Sequence, residues 1–524
     1  MLRVFQNDLL APDRFVVTLE LVPGRESTGR RVETVMGIAR EAFADGRISA
    51  VSMTDNPGGN PSLSPDAFGS EIFKIGMDVI IHFTCRDINR VGMESRALQL
   101  AMMGMKNILA LTGDYTGRGY GGQGAPVFDL DSVNLLAMLQ LLSDRMRQAG
   151  DPDEFFTGCA VSPFKRTEGE TFAQYAKLCR KAAAGARFVI TQLGYDARKF
   201  EELMRVQALA GIDLPVLGSV YVLNPKTAHL MNQGKIPGAV VTDDLLARVR
   251  QEWVDPEAGR NAAEERAARL AAVLKGIGYR GIHIGGVHRS FAPVARILDR
   301  MAQIQDRWPA FMDDFDFPLP NGFYAFERNA PGKPDRHRFG VAPQRLAAGE
   351  RLGFHLMRAT HRLFFDPASP AAPLMERFCR WIDQRHYRRF LFRLAEDPMK
   401  KILLGCRRCG DCAIEHVGYL CPESGCAKHI RNGACGGSRN GMCEVFPDRP
   451  CVWERAYRRW ACIEETAKMA DGCVPPRMWE LDRTPSWLNF YLRRDHHGAS
   501  TELARFCRAR QCRIDASLAP HGSS

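Results

Sequence analysis

The chain has 524 residues, 45% hydrophobic and 25% charged, with 71 lysines and arginines against 60 acids for a formal charge of +11. At roughly 150 residues per domain the length excludes a single small module, and the apolar content excludes wholesale disorder. No apolar run reaches the ~18 residues of a membrane span. Asp8 and Asp13 interrupt the N-terminal stretch where a signal peptide needs an apolar run, so a cytoplasmic protein is expected, with no membrane partner. The basic excess favours anionic partners. It is spread along the chain without Lys/Arg tracts, and no nucleic-acid fold signature accompanies it, so nucleic acid is not expected as a partner.

From residue 15 to about 300, short β-branched runs alternate with helical stretches, the pattern of parallel strands covered by crossover helices. Strands are expected at 15–20, 48–53, 79–84, 107–111, 158–162, 188–192, 216–222 and 281–285. Helical periodicity marks 30–44, 93–104, 132–149, 171–184 and 262–274, several preceded by a capping Ser, Thr, Asp or Asn. This α/β series fits a closed (β/α)8 TIM barrel over 1–311 better than an open sheet. Reactive groups then belong at the carboxyl ends of the strands, where Glu20, Thr54, Asp55, His82, Asp114 and Gln192 stand.

Residues 312–375 are rich in proline and glycine with little periodicity, which reads as a linker or a covering segment. A helical, basic and aromatic stretch over 376–394 leads into a smaller cysteine-rich domain, 376–500. Its arginines read as a solvated helix face. A tail, 501–524, follows.

Five barrel segments, VTLELVP (17–23), HFTC (82–85), ILALTGD (108–114), ITQLGYD (190–196) and GKIPGAV (234–240), occur in a characteristic order. Together they make residues 12–300 resemble methylenetetrahydrofolate reductase, a flavin-dependent TIM-barrel oxidoreductase. The resemblance implies hydride transfer from reduced flavin to 5,10-methylenetetrahydrofolate, giving 5-methyltetrahydrofolate for one-carbon metabolism and methionine supply. The substrate's bridging ring must open to an iminium ion, which requires a proton at the leaving N10, and a carboxylic acid of raised pKa can provide it. Glu20 matches the family's glutamate in that catalytic and substrate-binding role. Asp114 matches the family's acid beside flavin and pterin, catalytic and cofactor-binding. Gln192 can offer donor and acceptor to a pterin edge, and His82 and Thr84 lie where the family packs its flavin.

The sequence departs from the family pattern in VSPFKRTEGE (161–170) and TDNPGGNPS (54–62), segments that help to hold the flavin in typical members. Lys165 and Arg166 are the expected substitutes for phosphate charge. FAD is the expected cofactor, with FMN the alternative, and NAD(P)H or a reduced redox protein the electron donor. Folates carry glutamate tails, which suits a positive barrel rim.

Eight of the sixteen cysteines, Cys406, Cys409, Cys412, Cys421, Cys426, Cys435, Cys443 and Cys451, are spaced C-x2-C-x2-C-x8-C-x4-C-x8-C-x7-C-x7-C. In a reducing compartment such a cluster reads as metal ligation. The C-x2-C-x2-C run, with Pro422 after Cys421, is the ferredoxin arrangement around an iron–sulfur cluster. Zinc remains open, with His416 and His429 as further donors. The other cysteines read as separate thiols. The segment 432–459, with NG-x-CGG at 432–437, makes about 385–480 resemble the cysteine-rich methylenetetrahydrofolate reductase C-terminal domain. That likeness implies a metal and electron transfer.

The expected protein is therefore a folate-reducing flavoenzyme with a metal-binding domain for electron entry or structure. Its alternative is a folate-binding methyl-transfer or electron-transfer component that docks a redox partner. A homo-oligomer is left open by the sequence, as is the direction of the reaction.

Overall fold

The β-branched runs form strands where the sequence places them: β1 (Val16–Leu21), β2 (Ala50–Met53), β3 (Val79–Thr84), β4 (Asn107–Leu111), β5 (Phe156–Val161), β6 (Phe188–Thr191), β7 (Val216–Tyr221) and β8 (Gly281–Gly285). All are parallel in sequence order, and β8 closes on β1 with Val16 opposite Gly281 and Leu19 opposite Ile284. This computed structural model describes residues 4–151, 154–327 and 346–509. Among them no helix is long and apolar enough to cross a membrane.

Strand side chains alternate between two faces, and this period sorts the barrel interior into levels. At the bottom Val16, Ala50, Ile80, Leu109, Phe156, Phe188 and Leu217 form one apolar cluster, plugged by Phe5 and Leu9 of the helix Val4–Leu10. Two residues further along β1, β2 and β8 stand Thr18, Ser52 and His283, all buried. Two further again, Glu20 reaches the carboxyl end. The interior thus changes from hydrocarbon to polar toward the face where TIM barrels carry their chemistry. The outward residues Val17, Leu19, Val51, Met53, Val79 and Ile81 pack into the larger core beneath the helices.

Part of the segment expected as a linker is ordered structure. Helix Ala348–Thr360 lies within it, and its Phe354 is fully buried against Tyr419 and Trp460. The proline-rich composition hid the i, i+3 pair of Phe354 and Met357, both of which face that core. Pro331, Pro334 and Pro343 lie outside the described residues, as does Cys512.

The cysteine-rich part shares a core with the barrel. Helix Glu168–Ala183, which follows β5, presents Phe172, Ala173, Ala176 and Cys179 to Trp453, Ala456, Tyr457 and Trp460 of helix Val452–Ala461. A Cβ at Gly169 would stand 2.3 Å from the Glu454 carboxylate and 2.9 Å from the Tyr457 ring, so a side chain there would displace both groups from the helix contact. Both tryptophans are fully buried, and truncating one to alanine would cost about 3–5 kcal/mol. Polar contacts extend the seam. Asn432 donates through its backbone N–H and its amide to Asp131, which also caps helix Ser132–Gln148, and its amide oxygen accepts from Val474 N.

Candidate functional site

Glu20 sits at the end of β1, 28% exposed and so reachable from the barrel mouth. Its Oε2 lies 3.9 Å from His283 Nε2. His283 is oriented from its other nitrogen, Nδ1, by Thr18 Oγ1 at 2.8 Å, while Ser52 Oγ approaches Nε2 at 3.4 Å. Burial pushes the Glu20 carboxyl up, but the imidazoles of His283, His82 and His288 outweigh it and hold the group below its ordinary value. The expectation of a raised pKa in a partly apolar site is therefore corrected. The histidine neighbours are the cause, and two of them, His283 and His288, come from the last strand and the loop after it. The sequence signal for His283 was a lone imidazole between Ile282 and Ile284 in an otherwise apolar strand.

His82, on β3, is buried, and burial depresses its pKa to about 4, with Glu20 opposing, so the ring is neutral at ordinary pH. Its Nε2 has no hydrogen-bond partner among the described residues. Three other buried polar atoms near strand ends share that condition: Thr54 Oγ1 after β2, Thr116 Oγ1 after β4 and Ser162 Oγ after β5. Orphaned buried polar atoms are costly unless a ligand or water satisfies them, so the mouth has the unsatisfied donors and acceptors that a polar ring system would use.

Thr84 is committed elsewhere: its N–H and hydroxyl both donate to Asp55 Oδ2, at 3.1 and 3.0 Å. Arg96 holds Asp55 in turn and also bridges to Asp66. Asp114 accepts from Gly58 N at 3.0 Å, which ties the loop after β4 to the loop after β2. Gly59 closes that contact at positive φ, where a Cβ would lie 2.1 Å from Tyr115 O. Burial pushes the Asp114 carboxyl above its usual range; Lys428 pulls the other way and Glu444 adds to burial. Glu20 and Asp114 are thus shifted in opposite directions. Gln192 packs against the loop 234–240, donating to Pro237 O at 3.2 Å and accepting from Leu193 N at 2.9 Å, so half of its amide is already used. Lys165 does not stand free for a phosphate: it is buried, and its ammonium donates to the carbonyls of Gly436 and Ser438 in the cysteine-rich part.

The eight clustered cysteines divide into two sets, none in a disulfide. Cys406, Cys409, Cys412 and Cys421 line one cavity with Glu396, Lys400 and Arg408 in its wall. Cys426, Cys435, Cys443 and Cys451 line a second, with Lys428 and Glu444. The second abuts the barrel mouth. Lys428 Nζ donates to Gly113 O at 2.7 Å, beside Asp114, and to Glu444, which accepts from Cys435 Sγ at 3.3 Å. His429 faces Glu423 rather than either set. Of the remaining cysteines, Cys473 and Cys507 are joined as a disulfide rather than standing as separate thiols.

Residues 6–302 match the family model described as methylenetetrahydrofolate reductase, and residues 389–480 match the one described as methylene-tetrahydrofolate reductase C terminal. The chain belongs to the methylenetetrahydrofolate reductase family. A probable methylenetetrahydrofolate reductase (NADPH) from Caenorhabditis elegans is 27% identical over 39% of this chain and 31% of its own length. Methylenetetrahydrofolate reductase 1 of Schizosaccharomyces pombe is 23% identical over 60% of this chain and 51% of its own. The chain thus spans about half, or less, of the length of these family members. A solved structure of an uncharacterized protein from Clostridium thermocellum, described as binding two copies of 5-methyl-5,6,7,8-tetrahydrofolic acid, aligns over 58% of this chain and 99% of its own at 11% identity and a TM-score of 0.40.

Proposed function

We propose that this protein reduces 5,10-methylenetetrahydrofolate to 5-methyltetrahydrofolate, and that its cysteine-rich part carries electrons to the barrel. The observation that carries the first half is Glu20, a carboxylate at the mouth of a family barrel, with three imidazoles about it. A bound flavin, FAD or FMN, would supply the hydride. The residues that would hold it are His82, through its unpartnered Nε2, and the mouth atoms Thr54 Oγ1 and Ser162 Oγ; Asp114 would border it. On this reading Glu20 delivers a proton to N10 of the folate, and the imidazole of His283 behind it replaces that proton from its Nε2. Folate binding over Glu20 excludes water from the carboxylate, which moves its pKa upward toward the range a proton donor needs. Half of the Gln192 amide remains for the pterin edge.

Several observations support electron entry. The second cysteine set is linked to Gly113 and Asp114 through Lys428 and Glu444, and the first is lined in part by Glu396, Asp397, Lys400 and Leu404 of helix His386–Leu404, which follows helix Ala372–Asp383. Those helices expose Phe378, Trp381, Phe390, Leu394, Ile402 and Leu403, an apolar surface of the kind a protein donor would cover. The C-x2-C-x2-C run of Cys406, Cys409 and Cys412, with Pro422 after Cys421, favours an iron–sulfur cluster in the first set, and the second set of four thiols offers the same ligand count.

The test is anaerobic purification of the full chain, followed by a visible spectrum and assay of iron and acid-labile sulfide. Expected are a flavin band that bleaches under reduction and reappears on adding methylenetetrahydrofolate, and about eight iron and eight sulfide per chain. A protein without flavin that cannot be reconstituted with FAD or FMN would overturn the reductase reading. Zinc in place of iron would overturn electron entry through the cysteines.

A further inference from the structure

Beside the cysteine sets, four side chains converge that the folate chemistry does not use. Glu415 and His416 follow the C-x2-C-x2-C run, and His496 and His497 return to them from the end of the cysteine-rich part. One donor atom from each lies within 4.8 Å of the other three. His416 Nε2 faces His496 Nε2 at 3.1 Å, His497 Nε2 is 2.6 Å from Glu415 Oε1, and His416 Nε2 is 3.3 Å from the same oxygen. The other oxygen of Glu415 meets His361 Nε2 at 2.6 Å.

The outer nitrogens decide what the inner ones offer. His496 Nδ1 donates to Asp411, and His497 Nδ1 donates to Asp495 at 3.1 Å. Asp411 is itself fixed by Arg431 at 2.6 Å and by Met478 N, and both aspartates are buried. With Nδ1 donating outward, each ring turns Nε2 inward: that of His496 toward a third imidazole, and that of His497 toward the Glu415 carboxylate, to which it donates and where a bound cation would take the place of the shared proton. A carboxylate behind each histidine is the arrangement that orients metal-bound imidazoles and fixes their tautomer. Nitrogen and oxygen ligands on a tetrahedral ion lie ~3.3 Å apart, given bonds of about 2.0–2.1 Å; the separations of 3.1 and 3.3 Å are close to that, and the 2.6 Å hydrogen bond between His497 and Glu415 would open on binding.

We propose that Glu415, His416, His496 and His497 form a mononuclear site for a borderline divalent metal ion, zinc, held by three imidazoles and one carboxylate. Four protein ligands close the coordination sphere, so the ion is structural. It ties the turn after Cys412 to the segment at 496–497.

X-ray absorption at the zinc edge of the full chain, grown with zinc and purified anaerobically, tests this directly. Expected is stoichiometric zinc whose nearest neighbours are nitrogen and oxygen at about 2.0–2.1 Å. The variant His416→Asn should lose that zinc while retaining the iron of the wild type. Wild-type protein without stoichiometric zinc, or with only sulfur neighbours at about 2.3 Å, overturns the proposal whether or not the variant folds. The result is independent of the cysteine reading, since iron is counted separately: protein with zinc on nitrogen and no iron upholds this site and sinks the clusters.

Discussion

Glu20 and His283 face each other across the seam where β1 meets β8, with 3.9 Å between carboxylate and imidazole. They are far apart in the chain, and only barrel closure brings them together. Glu20→Gln keeps the shape and removes the proton. Folate reduction should fall by at least about 100-fold, while reduction of bound flavin by its donor stays nearly unchanged; stopped-flow measurement of the two half-reactions separates them. Equal losses in both would make Glu20 a structural or flavin-site residue.

His283→Gln should move a pH profile. With the imidazole gone, burial is opposed only by His82 and His288, so the Glu20 carboxyl rises from its depressed value. A donor that stays protonated to higher pH shifts the alkaline limb of kcat/KM for folate reduction upward. Stability follows the same linkage with the opposite sense. A depressed carboxyl stabilises the fold above its unfolded value of 4.5 and loses that contribution as pH falls through the folded one, so the variant should be less stable than the wild type above that value, with the difference vanishing as pH falls further. An unmoved kinetic limb would separate His283 from the proton path.

The barrel was legible because parallel strands buried on both faces read as continuous β-branched runs. The polar mouth was partly legible. Glu20, His82 and Asp114 end strands whose positions the pattern fixed, but His283 gave no local sign of facing Glu20. Lys165 was misread because its charge is visible in sequence while its carbonyl partners, Gly436 and Ser438, come from a distant segment. The division of the cysteines was not readable from spacing either. Cys421 and Cys426 are close in sequence, yet the single turn Pro422–Gly425 sends them to different cavities.

Lys428, which is buried, joins the cysteine-rich part to the barrel through Gly113 O and is held there by the partly buried Glu444. Lys428→Met leaves the Glu444 carboxylate without its cation and should cost about 3–5 kcal/mol in thermal or denaturant unfolding. Adding Glu444→Gln should recover much of that loss, because the unpaired charge is then gone. A single-variant effect within about 0.5 kcal/mol, the range of an ordinary surface change, would mean the contact does not hold the seam.

The arrangement of the two cysteine sets predicts an order of electron flow. The set containing Cys435 touches the barrel mouth through Glu444 and Lys428, whereas the cavity of the set containing Cys409 is walled by helix His386–Leu404, which exposes Phe390, Leu394, Ile402 and Leu403. Cys409→Ala should therefore remove about half of the iron and stop folate reduction by a protein donor, while a small reductant acting directly on the flavin still supports turnover. Cys435→Ala should likewise block the protein donor but leave the Cys409 set reducible, since electrons can enter there and go no further. Paramagnetic resonance of the reduced variants reads this: one signal remaining in each, and a different one. Structural metal predicts another pattern, in which either substitution unfolds the cysteine-rich part and no defect depends on the donor. Wild-type rates in both variants with every donor would remove the cysteines from the electron path.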